Sequence, residues 1–258
     1  MENNITPKQL NENFIVQKSR PLLNAKDGKY SVNQLKLLDT YLACINSHTP
    51  DSDVITFSLR EYAGLTDTER INQKDAEKCL SGLRNIEISI YDDNGTVTEI
   101  PLFSKRTLFA PNEQGEYIIQ LKCNEEAKPY FFNIEDKTYV SYRLGNIILM
   151  KSKHSIHLYQ YLKDNAFRIK WEVPLETVKE TAFHMEPTIY QKNFSVFRNK
   201  ILDKAVNEIN HRTDIQVEYK TITVKGKVTA IEFTVTDRDK KKRPKAIEIT
   251  AEKVSDKK

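Results

Sequence analysis

From Ser31 to Ile45 the apolar residues Leu35, Leu38, Tyr41, Leu42 and Ile45 recur at intervals of three and four, the signature of one helix face, and Ser31 is a plausible N-cap. Val54-Ile55-Thr56-Phe57 follows as a short strand. Ser58-Leu59-Arg60-Glu61 has capping-box spacing and opens a brief helix that ends near Gly64. Asp67–Asn85 reads as a third helix, polar at its start and apolar at Ala76, Cys79, Leu80 and Leu83. Glu87–Ser104 then alternates around Asp93-Asn94-Gly95, a strong hairpin turn.

The same order returns in the second half. Ser155–Lys163 carries Leu158, Tyr161 and Leu162 where the first half has Leu38, Tyr41 and Leu42. Trp171-Glu172-Val173 is the short strand, Pro174-Leu175-Glu176 opens the brief helix, and Tyr190–Asn210 is the long third helix. Ile215–Tyr219 and Ala230–Thr236 form strands about the turn Val224-Lys225-Gly226-Lys227. The offset between halves is 120 at Leu38/Leu158, 116 at Leu59/Leu175 and 131 at Gly95/Gly226, which fits an ancient duplication with loop changes better than a fixed-period solenoid. Three helices followed by a hairpin is the winged-helix layout, in which the third helix enters the major groove and the hairpin reaches the backbone beside it. The expected fold is therefore α+β, two tandem winged-helix domains, with the joint in the Pro129-containing stretch Asn124–Thr138. The boundaries expected are 1–132, 133–236 and a charged tail over 237–258, which loses all periodicity and reads as disordered.

Composition narrows the function. With 258 residues, 39% apolar and 29% charged, two modest cores are expected rather than one thick one. The longest apolar run, Ile147-Ile148-Leu149-Met150, is far short of a membrane span. Met1-Glu2-Asn3-Asn4 lacks the pattern of a secretory leader. The three cysteines are widely spaced and unsuited to a disulfide frame or zinc site, so a reducing, cytoplasmic setting and no metal or cofactor are expected. The overall charge of +4 conceals a gradient: Met1–Tyr142 has 16 Lys and Arg against 21 Asp and Glu, and Arg143–Lys258 has 24 against 15. The excess stays positive when the tail is removed, and it points to a polyanion, most often nucleic acid.

Winding Phe194–Asn210 at about 100° per residue puts Phe194, Phe197, Ile201, Leu202, Ala205 and Ile209 on one face, with Val206 at its edge. Val196, Asn199, Lys200, Asp203 and Asn207 lie opposite, and Lys192 and Asn193 sit on the leading turn. Lysine donates to guanine, asparagine pairs with adenine and an exposed valine meets a thymine methyl; an ordinary amphipathic helix with a polar outer face shows the same periodicity. Arg198 falls within the apolar sector, so it reaches a phosphate past the helix edge or pairs with an acid. Lys225 and Lys227 on the wing turn suit phosphate contacts, as do Lys151 and Lys153, with His154, ahead of the domain's first helix. The first-half helix exposes Asn72, Gln73, Lys74 and Lys78 among Asp67, Glu69, Asp75 and Glu77, so it should bind DNA weakly and be free for protein contacts.

Tyr139–Lys163, Phe194–Asn210 with the following Thr213-Asp214-Ile215, Val16-Gln17-Lys18-Ser19 and Tyr30–Ile45 resemble segments of the replication initiator (Rep) proteins of iteron-controlled plasmids. The likeness runs from about Phe14 to Thr236, and around Glu99–Asn124 it holds only in pattern. The resemblance implies two winged-helix domains, the second making most of the specific contacts with repeated origin sequences and the first supporting dimerisation and accessory DNA contacts. It further implies monomers that start replication, dimers that repress their own gene, and recruitment of host replication proteins such as the helicase. The family's basic positions on the recognition helix fall on Arg198, Asn199 and Lys200, of which Asn199 departs from the basic pattern.

Two other functions compete with this reading. A rolling-circle nicking enzyme needs a tyrosine nucleophile and a metal-holding histidine pair; His154 and His157 have the wrong spacing and a helical setting, and Tyr161 occupies a core-facing position matched by Tyr41. Neither a P-loop nor a hydrolase motif is present, so the protein is expected not to be an enzyme. A plain transcriptional repressor would use the same fold.

Overall fold

The computed structural model describes residues 7–24, 30–68, 72–91, 94–185, 190 and 193–238. Its chain opens with β1 (Ile15–Ser19) and α1 (Arg20–Leu23), followed by α2 (Val32–Cys44), β2 (Val54–Ser58), α3 (Leu59–Leu65) and α4 (Gln73–Gly82). Four strands come next: β3 (Glu87–Tyr91), β4 (Val97–Pro101), β5 (Phe103–Leu108) and β6 (Ile118–Cys123). The short α5 (Lys128–Phe131) leads to β7 (Tyr139–Arg143), α6 (Gly145–Ile148), α7 (Lys153–Asn165), β8 (Lys170–Pro174) and α8 (Leu175–Thr177). The chain ends in α9 (Phe194–Phe197), α10 (Asp203–Arg212), β9 (Ile215–Val224) and β10 (Lys227–Asp237). Most of the expected tail, from residue 239, lies outside the described residues. Among the described residues no helix is long and apolar enough to cross a membrane.

Local chemistry starts the elements where the pattern places them. Ser31 caps α2 through a full capping box, accepting the N–H of Gln34 while the Gln34 side chain accepts the N–H of Ser31. Ser58 accepts from Arg60 and Glu61 and so starts α3. Two third helices are shorter at their starts than expected. In the first half the α-helix begins at Gln73, and Asp67 ahead of it has φ of 51°. In the second, Tyr190 has φ of 57° and the helix begins only after Asn193.

The two halves have the same sheet order, β2-β6-β5 in the first and β8-β10-β9 in the second. This corrects the match between hairpins. The partner of the second-half wing is β5–β6, with its loop around Gly115, whereas the Asn94-Gly95 hairpin β3–β4 is a separate two-stranded sheet. Two hairpins follow one another there, and alternation cannot say which of them recruits the distant strand β2.

The expectation of two separate cores is not met. Buried apolar residues from both halves, among them Val16, Leu38, Tyr41, Tyr142, Leu158 and Phe197, form one connected cluster. The bridge is an antiparallel ladder in which β1 pairs with β7 across the expected joint, from Ile15 opposite Arg143 to Ser19 opposite Tyr139. Helix α2 packs on β1 and α7 on β7. Between the two helices lies a buried polar group. Lys18 Nζ is 3.5 Å from Asp39 Oδ1 and, at the same distance, donates to Gln160 Oε1. Gln160 Nε2 donates to Asp39 Oδ2 at 3.0 Å and to the Tyr142 hydroxyl at 2.8 Å, and that hydroxyl donates to Asp39 Oδ2 at 3.1 Å.

Removing one member of a buried ion pair strands the other charge. Asp39→Ala should therefore cost about 3–5 kcal/mol in urea unfolding, and Lys18→Met with Asp39→Leu should recover most of it; equal losses in the two variants would mean that the charge pairing is immaterial. Lys36 of α2 is buried beside Glu208 and Arg212 of α10, and burial lowers its pKa to about 8 against the opposing pull of the Glu208 carboxylate. The unfolded chain keeps that proton up to the ordinary value of 10.5, so the native state binds fewer protons between about pH 8 and 10.5 and gains stability as pH rises through that window. Thermal unfolding at pH 7 and 10 should show this gain diminished in Lys36→Met.

Candidate nucleic-acid interface

The long helix of the second half is built in three parts: α9, a π-helical turn over Arg198–Leu202, and α10. Asn193 caps it, its side-chain oxygen accepting the N–H of Val196 at 3.3 Å and the Ser195 hydroxyl at 2.8 Å. Phe197, Ile201, Leu202, Ala205 and Ile209 are buried and Phe194 and Val206 half-buried. Phe197 stands edge-on to Phe183 with ring centroids 5.4 Å apart, which ties the helix to the segment that follows α8. On the other side Asn199, Lys200, Lys204 and Asn207 are exposed and Val196 half-buried. Lys192 lies outside the described residues.

Arg198 departs from the 100° winding. It is exposed rather than in the apolar sector, and its Nε lies 3.4 Å from Asp203 Oδ2. Residues five apart are not neighbours on an α-helix, but a π turn brings i and i+5 together, which is why the pair has no signal in an i, i+4 reading. Asp203 Oδ1 also accepts a short hydrogen bond from the Tyr219 hydroxyl on β9. Burial first, and then the bond to Asp203, push the Tyr219 phenol up to about 12, so it remains a donor at neutral pH. The sequence places Asp203 on the outer face and leaves Arg198 a phosphate or an acid as partner, but it does not single out Asp203 as that acid or Tyr219 as the second partner.

The wing ends in a two-residue turn, Lys225 at φ of 48° and Gly226 at φ of 77°, with Val224 paired to Lys227. Positive φ at both positions is the twist that closes a tight hairpin, and it leaves Lys225 and Lys227 exposed at the tip. Lys151 is exposed, and its backbone N–H donates to Glu208 Oε1 at 2.7 Å. Lys153 is half-buried at the start of α7. The His154 ring, 6.1 Å from Phe183, has its pKa lowered by burial and by Lys153. Thus the recognition helix and the wing tip each carry part of the candidate set, with Lys151 and Lys153 beside the helix that supports them.

The first half puts different chemistry on the same frame. Asn72, Gln73, Lys74, Asp75, Glu77 and Lys78 are all exposed, so the charges of α4 are mixed. Its wing loop carries Glu113 and Glu116 where the second wing has lysines.

The tyrosines considered for covalent chemistry have structural partners. Tyr159 is fully buried, donates to Asp214 Oδ1 at 2.9 Å and accepts from Asn146 Nδ2 at 2.8 Å. Tyr161 packs against Trp171 and Phe233, and its hydroxyl accepts from Trp171 Nε1 at 3.4 Å. Burial raises the pKa of both phenols, away from what a nucleophile needs. His157 stacks on His184 at 4.3 Å, away from His154 in pairing.

Two helix-turn-helix units, each backed by a three-stranded sheet with a wing, define a protein of tandem winged-helix domains. Family models agree with that frame: one described as "Initiator Replication protein, WH1" matches residues 15–163, and one described as "Initiator Rep protein, WH2" matches residues 166–235. The chain belongs to the initiator replication protein family. Among solved structures it is similar to that described as "Crystal structure of Pi initiator protein in complex with iteron DNA", with a TM-score of 0.73 and 18% identity over 89% of this chain and 100% of that one. At that identity the likeness is one of fold. No curated protein matches the chain in sequence.

Asn193 can be tested separately as helix cap and as candidate interface residue. Asn193→Ala should lower stability by about 1 kcal/mol in chemical denaturation. Asn193→Asp should keep the cap and the stability while weakening binding to duplex DNA in a fluorescence-anisotropy titration, because it sets a carboxylate at the entry of the helix.

Proposed function

We propose that this protein starts replication by binding repeated sequences, iterons, in double-stranded origin DNA through its second winged-helix domain. The observation that carries the reading is the solvent face of the 194–212 helix: Asn199, Lys200, Lys204 and Asn207 are exposed together over a buried phenylalanine-rich base, beside a lysine-tipped wing. Membership of the initiator family supports the reading, and so does the similar fold of a protein solved with iteron DNA. Lys192, Asn193, Val196, Asn199 and Lys200 read bases, and Arg198, Lys225, Lys227, Lys151 and Lys153 hold phosphates. Residues 133–236 carry the sequence-specific contacts. Residues 1–132 serve dimerisation and accessory DNA contacts, with the β1–β7 ladder tying the two parts together. Array binding and DNA deformation near an A·T-rich segment open the strands without enzymatic chemistry. Host replication proteins, the helicase among them, are then recruited by protein contacts in the cytoplasm, and the dimer represses the protein's own gene.

The test is footprinting on the plasmid region flanking the gene, followed by replication of that region with the protein supplied in trans. Protection with replication is expected. Protection without replication would favour a repressor, and nicking with a tyrosine adduct would favour a rolling-circle enzyme. Within the complex, Lys200→Ala should weaken binding by about 1–3 kcal/mol and relax selectivity at one position. Lys225→Ala should lower affinity evenly across sequences and reduce the salt slope by about one. The reverse pattern would exchange the roles of helix and wing.

A further inference from the structure

Arg198 is exposed on the long helix of the second half, with its guanidinium held by Asp203 and beside Tyr219. Its Nε faces Asp203 Oδ2 at 3.4 Å, and Asp203 is held from the other side by the Tyr219 hydroxyl. Tyr219 comes from a different element, β9, and packs against the core, so the carboxylate is fixed by the body of the domain rather than by the helix alone. The side chains of Arg198 and Asp203 are 54% and 42% exposed, and an ion pair that open to solvent contributes little to stability. Its placement is more telling. A carboxylate on a DNA-facing surface repels phosphates and weakens non-sequence-specific binding, which a plain phosphate-holding arginine would not need. What the carboxylate supplies is orientation: with Nε turned to Asp203 and the guanidinium beside the Tyr219 hydroxyl, the rotamer of the half-exposed arginine is already restricted.

We propose that Asp203 and Tyr219 are positioning residues that hold Arg198 as the reader of a single guanine, Nη1 and Nη2 donating to its O6 and N7 in the major groove. The proposal rests on the reading of residues 194–212 as the recognition helix, and it moves Arg198 from phosphate holding to base reading. The π turn is what makes the arrangement possible, since it brings position 198 to position 203 and takes Arg198 out of the apolar sector. An Arg198 that meets a base other than guanine keeps its Asp203 partner and gains nothing, so the pair serves selectivity more than affinity.

The experiment uses the full chain, the repeat found by footprinting, and every single base-pair substitution of that repeat, titrated at two salt concentrations. Arg198→Ala and Arg198→Lys should each lose discrimination at one G·C pair by about 5- to 150-fold, the range for one bidentate base contact. Tyr219→Phe and Asp203→Asn should lose discrimination at that same pair and at no other, with an unchanged salt slope. Arg198→Ala combined with Asp203→Asn should be no worse than Arg198→Ala alone. Tyr219→Phe removes only the hydroxyl, and thermal unfolding checks that it and the other variants remain folded.

The proposal is overturned if Asp203→Asn and Tyr219→Phe leave selectivity intact everywhere, or if they change a position that Arg198→Ala does not, which would make Asp203 a direct acceptor from a base. It is equally overturned if Arg198→Lys keeps full discrimination while Arg198→Ala lowers the salt slope by about one, the behaviour of a phosphate contact. A wild-type chain that protects no repeated sequence would bring down the initiator reading itself. With repeat binding intact in the wild type, only the role given to Arg198, Asp203 and Tyr219 is at stake.

Discussion

The architecture depends on one buried charge. Lys18 and Asp39 are almost wholly removed from water, and desolvating two ions costs enough that their mutual attraction alone does not make the pair a source of stability. The site is tolerable because Gln160 and Tyr142 both donate to Asp39 Oδ2 while Lys18 faces Oδ1. Those four side chains come from β1, α2, β7 and α7. They can all be satisfied only when the two helices face each other across the antiparallel strand ladder, so the polar cluster enforces one relative placement of the halves where an apolar contact could slide.

That constraint reaches the long helix of the second half. Tyr142 stands edge-on to Tyr159 with ring centroids 5.6 Å apart, and the Tyr159 hydroxyl bonds Asp214 directly after the recognition helix. Lys163 Nζ reaches the other Asp214 oxygen at 2.9 Å. On the neighbouring flank Lys36 of the first half is buried within the field of the Glu208 carboxylate on α10. The C-terminal end of the long helix is thus tied down through Asp214 to Tyr159 and Lys163, while its leading turn is capped by its own Asn193.

The two halves show how one frame carries different surfaces. Both use a strand, two helices and a hairpin in the same sheet order. In the first half the third helix alternates acid and base on its exposed face and its wing loop bears glutamates; in the second the wing bears lysines and the helix exposes amides and lysines. Among the described residues the π turns fall in the second half, one in each of the two helices of its helix-turn-helix. A π turn gives up regular i to i+4 hydrogen bonding, and such turns are frequent where a side chain must be re-aimed. Here the side chain is Arg198.

Much of this was legible in the residues themselves. Three- and four-residue spacing located α2, α7 and the buried face of α9 and α10, because a helix must bury one stripe and the stripe is written in the apolar positions. Ser31, Ser58 and the Lys225-Gly226 turn marked their elements through purely local hydrogen bonding and dihedral preference. The charge gradient and the lysines of helix and wing were likewise plain in the chain. The tertiary structure decided what depends on residues distant in sequence: that β2 joins β6 rather than the Asn94-Gly95 hairpin, that β1 crosses to β7 and fuses two cores into one, and that Lys18 meets Gln160. It also decided the Arg198–Asp203–Tyr219 arrangement, since a π turn departs from the helical period on which any reading of a face rests, and the tyrosine arrives from a separate strand. Periodicity and capping report short-range forces, whereas strand partners, buried ion pairs and helix irregularities are settled only by what packs against them.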